Sequence, residues 1–96
     1  MNGRQKRHLR SLAHHLEPIV LVGAGGVSEG VIAATDRALA DHELVKVRLP
    51  QVDRDERARM AAAIEQGTHA ALAGLSGRIA ILYRRHPTKP RIALPR

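Results

Sequence analysis

Cysteine, phenylalanine and tryptophan are absent from this 96-residue chain, and Tyr83 is its only member of the Phe, Tyr, Trp group. Without cysteine there are no disulfides and no thiolate metal sites, which fits a reducing, cytoplasmic setting. Without Phe and Trp the core must come mainly from Ala, Val, Ile and Leu. One tyrosine also cannot build the stacking platform with which RRM and OB modules read single strands. Acid is scarce as well: 9 Asp and Glu stand against 16 Lys and Arg, a formal charge of +7. Such an imbalance in a small domain favours a polyanionic partner, most often nucleic acid. No apolar run approaches the roughly 18 residues of a membrane-spanning helix. The basic stretch Met1–Arg7 is followed by no apolar segment of the signal-peptide kind.

Catalysis and metal binding have little to stand on. There is no G-x-S-x-G elbow, no cysteine nucleophile and no pair of carboxylates in an apolar setting. The six histidines include no H-E-x-x-H pair, and the adjacent His14 and His15 cannot face one side of a helix. His42-Glu43 reads as capping or packing at a helix-to-strand turn. No catalytic residue, cofactor, metal or small-molecule substrate is expected, and the chain reads as a binding protein rather than an enzyme.

What is present is one informative stretch, Ile19-Val20-Leu21-Val22-Gly23-Ala24-Gly25-Gly26-Val27-Ser28-Glu29. Its apolar, mostly β-branched start suits a buried strand. Three glycines in four positions then allow close approach of backbone to a ligand. Ser28 suits a helix N-cap, with Glu29 in the first turn. Strand, glycine loop and helix N-terminus together make an anion site, most often for phosphate. The dinucleotide fingerprint fits poorly, because its third glycine falls on Ser28 and Asp53 lies too far along for the ribose acid. A Walker A loop is excluded because no Gly-Lys-Ser/Thr follows. The remaining reading is G-x-x-G, Gly23 to Gly26, as a clamp on a nucleic-acid backbone, against the plainer reading of a tight turn.

Hydrophobic residues make up 44% of the chain, enough for one folded domain over residues 1–96. Leu9, Leu12, Ala13 and Leu16 form one apolar stripe, predicting a first helix from about Arg4 to Leu16 with Arg4, Arg7, Arg10, Ser11 and His14 opposite. A second helix runs from Glu29 to about Asp41 and buries Val31, Ile32, Ala34, Ala38 and Leu39, with the Thr35 hydroxyl bonding back. Leu44–Leu49 alternates as a strand with Lys46 and Arg48 on one face. It should lie parallel to the first strand, since a helix connects them. Asp53 and Glu56 open a third helix reaching about Gln66, with Gly67 as the residue after its cap and Ala58, Ala61, Ala62 and Ile64 inward. Ala70–Leu75, a Ser76-Gly77 turn and Arg78–Arg85 read as a hairpin. Residues 86–96 form an extended basic tail. The fold class is α/β in the order α-β-α-β-α-β-β, a four-stranded mixed sheet with three helices.

Several motifs in order carry a family resemblance. They are Arg4-Gln5-Lys6-Arg7 through Leu12-Ala13-His14 to Pro18, then Val22-Gly23-x-x-Gly26-Val27-Ser28 with Val31-Ile32. Ala38-Leu39-x-x-His42-Glu43-Leu44-Val45-Lys46-Val47, Leu82-Tyr83-Arg84 and Ile92-x-Leu94-Pro95 follow. The chain resembles the CRM domain, and among its members the bacterial stand-alone YhbY-like proteins, over nearly its full length. The resemblance implies a fold like the C-terminal domain of translation initiation factor 3. It also implies RNA binding through the G-x-x-G loop and neighbouring basic surface, and association with precursors of the large ribosomal subunit. Two departures stand out: Ala24 occupies a place where many members carry lysine, and the third strand is unusually rich in Ala and Gly.

The expected RNA-contact set is Gly23, Ala24, Gly25, Gly26, Lys6, Arg7, Arg10, His14, Lys46, Arg48 and Arg84. The expected partner is ribosomal RNA in pre-large-subunit particles, with ribosomal proteins as further contacts and no membrane. The alternative is a protein-interaction module on the ribosome that touches RNA incidentally, prompted by Asp53, Asp55 and Glu56.

Overall fold

Asn2 caps the first helix, which begins at Gly3, one residue earlier than the apolar stripe predicts. Its side chain accepts from the Gln5 amide at 2.8 Å while Gln5 Oε1 accepts from the Asn2 amide at 3.1 Å, a reciprocal capping box. In the computed structural model, which describes all residues from Met1 to Arg96, this helix is α1 (Gly3–Ala13). It is followed by β1 (Val20–Leu21), α2 (Glu29–His42), β2 (Leu44–Arg48), α3 (Arg54–Thr68), β3 (Ala71–Ser76) and β4 (Ile79–Tyr83). The expected order of elements is the observed one.

The strands form one sheet in the order β1-β2-β4-β3. β1 pairs parallel with β2, as the helical crossover requires, and β4 pairs antiparallel with both β2 and β3. Alternation along β2 and β4 sorts side chains into two cores. Val45, Val47, Leu49, Ala80 and Leu82 pack beneath α2 and α3, with Leu39, Ala61 and Ile64. Leu44, Ile81 and Tyr83 pack beneath α1, against Leu9 and Ala13. Burying a side chain such as Leu9 or Leu39 completely stabilises by about 1.5–3 kcal/mol, so each helix face is held by a few aliphatic anchors.

Several boundaries and faces differ from the periodicity. Leu12 and Leu16 remain 41% and 39% exposed, because α1 ends at Ala13 and packs over β2, β4 and β3 rather than over the two-residue β1. In α2, Thr35 takes the fully buried place and donates to the Val31 carbonyl at 2.8 Å, whereas Ala34 faces solvent. In α3, Met60, Ala61, Ile64 and Thr68 are buried, and Ala58 and Ala62 are exposed. Asp53 caps α3 by accepting from the Glu56 amide at 2.8 Å, but the Glu56 carboxylate turns to Arg59 instead of completing a capping box.

Gly67 is not the residue after the α3 cap. The helix continues to Thr68 and ends on His69 at φ 56. A Cβ at Gly67 would sit 2.6 Å from Ile32 Cδ1, so glycine serves here to let α2 and α3 approach. β3 carries a bulge between Leu72 and Gly74. It turns Ala73 and Gly74 together toward α1, where Arg10 lies across Gly74 and donates to the Ala73 carbonyl at 3.0 Å. The small residues that make β3 weak as a strand pattern are what this contact needs.

Glu43 organises the C-terminal segment. It sits at φ 62 between α2 and β2 and is only 2% exposed. Its Oε2 accepts from the His86 amide at 2.8 Å, and its Oε1 accepts from the amides of Arg91 and Ile92 at 2.7 and 3.1 Å. Ile92 and Leu94 then pack against the α1 core, and Gln5 Nε2 donates to the Pro95 carbonyl at 3.0 Å. The expected extended tail is thus a strap laid alongside α1.

Candidate nucleic-acid interface

The glycine loop leaves the sheet at the C-terminal ends of β1 and β2. Val22 donates to the Arg48 carbonyl at 2.8 Å, and the turn closes with the Gly26 amide on the Gly23 carbonyl at 3.0 Å. Gly26 takes φ 80, which favours glycine. The amides of Gly23, Ala24 and Gly25 donate to no protein acceptor, and all three residues are exposed. Adding a Cβ at Gly23 or Gly25 would meet nothing within 4 Å. Ser28 caps α2 by accepting from the Val31 amide at 3.2 Å, so α2 begins immediately beyond the loop. Free amides on an exposed turn shortly before a helix start are suited to oxygen anions.

Cations border this turn. Arg48, the register partner of Leu21, is exposed and its side chain makes no hydrogen bond or ion pair. Arg78 lies in the two-residue turn between β3 and β4 and donates from Nε to the Leu49 carbonyl at 3.0 Å, keeping its charge at the same end of the sheet. On the other side of the loop, Gly25, Gly26 and Val27 share a cleft of about 370 Å³ with Met60, Ala63 and the Arg59–Glu56 ion pair of 2.6 Å. Arg59 and Arg78 were missing from the sequence-derived set. Both lie far from the loop in the chain and reach it only through packing of α3 and the hairpin.

The remaining expected residues divide. Arg7 and Arg10 on α1 and His14 at its C-cap are exposed, and Lys6 is half-buried. Arg10 uses one guanidinium nitrogen on Ala73. Lys46 donates to the Leu16 carbonyl at 3.0 Å, closing the chain reversal after α1. Arg84 stands apart from the loop. It follows Tyr83, which pairs with Leu44 at the opposite end of β2 from Arg48. Its guanidinium meets Asp36 Oδ1 at 2.5 Å, the Asp36 carbonyl at 3.1 Å and the Thr68 carbonyl at 2.8 Å. Arg84 is therefore a tie between α2, α3 and β4, a role its place in Leu-Tyr-Arg does not reveal. Tyr83 is 5% exposed beneath α1, with burial pushing its phenol pKa up, so it offers no face for stacking on a base.

The surface has no group of three or more His, Asp or Glu placed to hold a metal ion. No helix is long and apolar enough to cross a membrane.

The family model described as the CRS1 / YhbY (CRM) domain matches residues 1–84. The chain belongs to this family. Its CRM domain is 41% identical over 96 residues to a Haemophilus influenzae protein named "RNA-binding protein", covering 100% of this chain and 96% of that one. It is 38% identical over 95 residues to a Bacillus subtilis protein named "Probable RNA-binding protein YqeI", covering 99% of both. A solution structure of a Staphylococcus aureus protein superposes on the CRM domain with a TM-score of 0.88 at 36% identity, covering 99% of each chain. The α/β architecture read from the sequence is thus shared with a solved structure along nearly the whole chain.

Proposed function

We propose that this CRM domain is a non-enzymatic RNA-binding protein that grips ribosomal RNA in precursors of the large subunit during assembly, in the cytoplasm. The observation that carries the reading is the exposed Gly23–Gly25 turn, whose three amides lack a protein acceptor and whose flank holds Arg48 and Arg78. Phosphate oxygens fit those donors, and the cations fix a backbone beside them. Ala24 leaves the loop without a charge of its own, so the grip depends on backbone geometry and on the surrounding arginines. The names of the relatives from H. influenzae and B. subtilis support RNA as the partner. The buried tyrosine supports recognition by phosphate, 2′-hydroxyl and shape rather than by stacking. Lys6, Arg7, Arg10 and His14 on α1 extend the contact.

Gly25→Asp tests the loop, because its side chain enters open space and the backbone there needs no positive φ. The variant should keep its far-UV circular dichroism and bind large-subunit ribosomal RNA fragments at least about tenfold more weakly, as expected for a carboxylate set against phosphate. Wild-type affinity in a folded variant would remove the loop from the site.

A second reading has its own observation. Leu12, Leu16 and Ile19 are exposed and line a cleft of about 410 Å³ with Leu44 and Ile92, an apolar surface suited to a protein contact. Crosslinking in assembling particles separates the two: crosslinks to proteins without any to RNA favour this one.

A further inference from the structure

The charge of this domain is segregated by the fold. All 9 acidic residues lie between Glu17 and Glu65. Residues 1–16 and 66–96 contain none, yet they hold most of the 16 Lys and Arg. α1 and the C-terminal strap lie together on one side of the sheet, while α2 and α3 with most of the acids lie on the other. Glu43 is the one carboxylate that reaches the strap, and it is buried under backbone amides. The strap itself presents Arg85, Lys89, Arg91 and Arg96, all exposed and none in an ion pair. Its apolar side chains Ile92 and Leu94 turn inward, so its outer face offers charge without an apolar anchor.

The strap is also ordered in advance. Three prolines restrict its backbone. The amides of Thr88 and Lys89 close on His86 Nδ1 at 3.2 and 2.9 Å, and Glu43 ties both ends of this turn. Cations held in one geometry lose less entropy on binding than cations on a loose tail. We propose that residues 85–96 are a second contact for the RNA phosphate backbone, separate from the glycine loop, and that Glu43 is the positioning residue that holds them in place. The proposal rests on the RNA-binding reading above.

The test measures binding of a large-subunit ribosomal RNA fragment by the full chain over a series of KCl concentrations. Lys89→Ala/Arg91→Ala/Arg96→Ala should weaken binding at least about tenfold and flatten the slope of log affinity against log salt by about 2, at 0.7–0.9 per phosphate contact. Glu43→Gln decides the positioning role, since it makes the chain more positive. Charge alone predicts equal or tighter binding, whereas a released strap predicts binding about threefold weaker or more, with the sheet amides unshifted in NMR spectra. Equal or tighter binding by folded Glu43→Gln overturns the positioning role. Wild-type affinity and slope in the triple variant, with Gly25→Asp still impaired, overturn the strap contact while leaving the loop reading intact. Wild-type binding that ignores salt overturns the underlying reading and the proposal with it, whereas an unimpaired Gly25→Asp beside an impaired triple variant removes the loop alone.

Discussion

Gly67→Ala is a substitution whose sign the structure reverses. In a helix, replacing glycine by alanine is worth up to about 1 kcal/mol of added stability. Here the new Cβ would lie 2.6 Å from Ile32 Cδ1 and 3.3 Å from both Cγ1 and Cγ2 of the same side chain. The tip of Ile32 can swing, because that residue is half-buried. Its two γ-carbons cannot retreat freely, since isoleucine in a helix keeps one χ1 rotamer about 90% of the time. Leaving that rotamer costs about 0.5–1.5 kcal/mol, and inserting a methyl into a packed contact typically costs about 1–3 kcal/mol. The net expectation is destabilisation of about 1 kcal/mol, read as a Tm lowered by about 4–8 °C for a domain of this size. Ile32→Ala removes all three opposing carbons. In that background Gly67→Ala should become stabilising, by up to about 1 kcal/mol. Urea unfolding of the four members of this cycle measures the coupling. If Gly67→Ala raises stability equally in both backgrounds, close helix approach is not the reason for glycine at 67.

Two further predictions concern groups whose roles depend on burial. Burial alone would raise the pKa of Glu43, but the amides of His86, Arg91 and Ile92, aided by the His86 side chain, hold its carboxyl below the ordinary carboxylate value. Because the folded value is depressed, its stabilisation is fully present above the unfolded pKa of about 4.3 and is lost as pH falls through the folded one. The side-chain carboxyl carbon resonance of Glu43 should therefore titrate below the ordinary carboxylate value of about 4.3, and a midpoint above that value would contradict the geometry. Arg84→Ala should lower stability by about 1–3 kcal/mol, the cost of losing charge-assisted bonds to Asp36 and Thr68. The same substitution should change RNA affinity less than Arg48→Ala does, as judged by filter binding at fixed salt.

The helices and strands were readable because each is written in a short period. Ser28 and Asp53 mark helix starts by their own side chains, and Val45, Val47 and Leu49 alternate within one strand. Positions that failed the reading are those decided by a neighbour distant in sequence. Gly67 has the chemistry of a helix stop, yet Ile32 makes it a packing residue. Ala70–Leu75 looks weak as a strand because the bulge and Arg10 demand small side chains there. Leu16 continues a helical stripe but lies past the end of α1, where the sheet below it is only two residues long.

The candidate site divides in the same way. Net charge, the lack of stacking aromatics and the glycine loop between strand and helix are properties of composition and local order, so the proposal of a polyanion backbone as partner follows from the sequence alone. Which cations are free to meet it is a question of contact. Lys46 and Arg84 count equally with Arg48 in the charge sum, but one closes a turn and another ties two helices to the sheet. Arg59 and Arg78 join the loop only through packing. Glu43, one acid among 9, draws a proline-rich tail onto α1 by accepting three hydrogen bonds from backbone amides more than 40 residues away in the chain. A side chain's charge is local, but its hydrogen-bond partners and its solvent are not, and only the tertiary structure decided those.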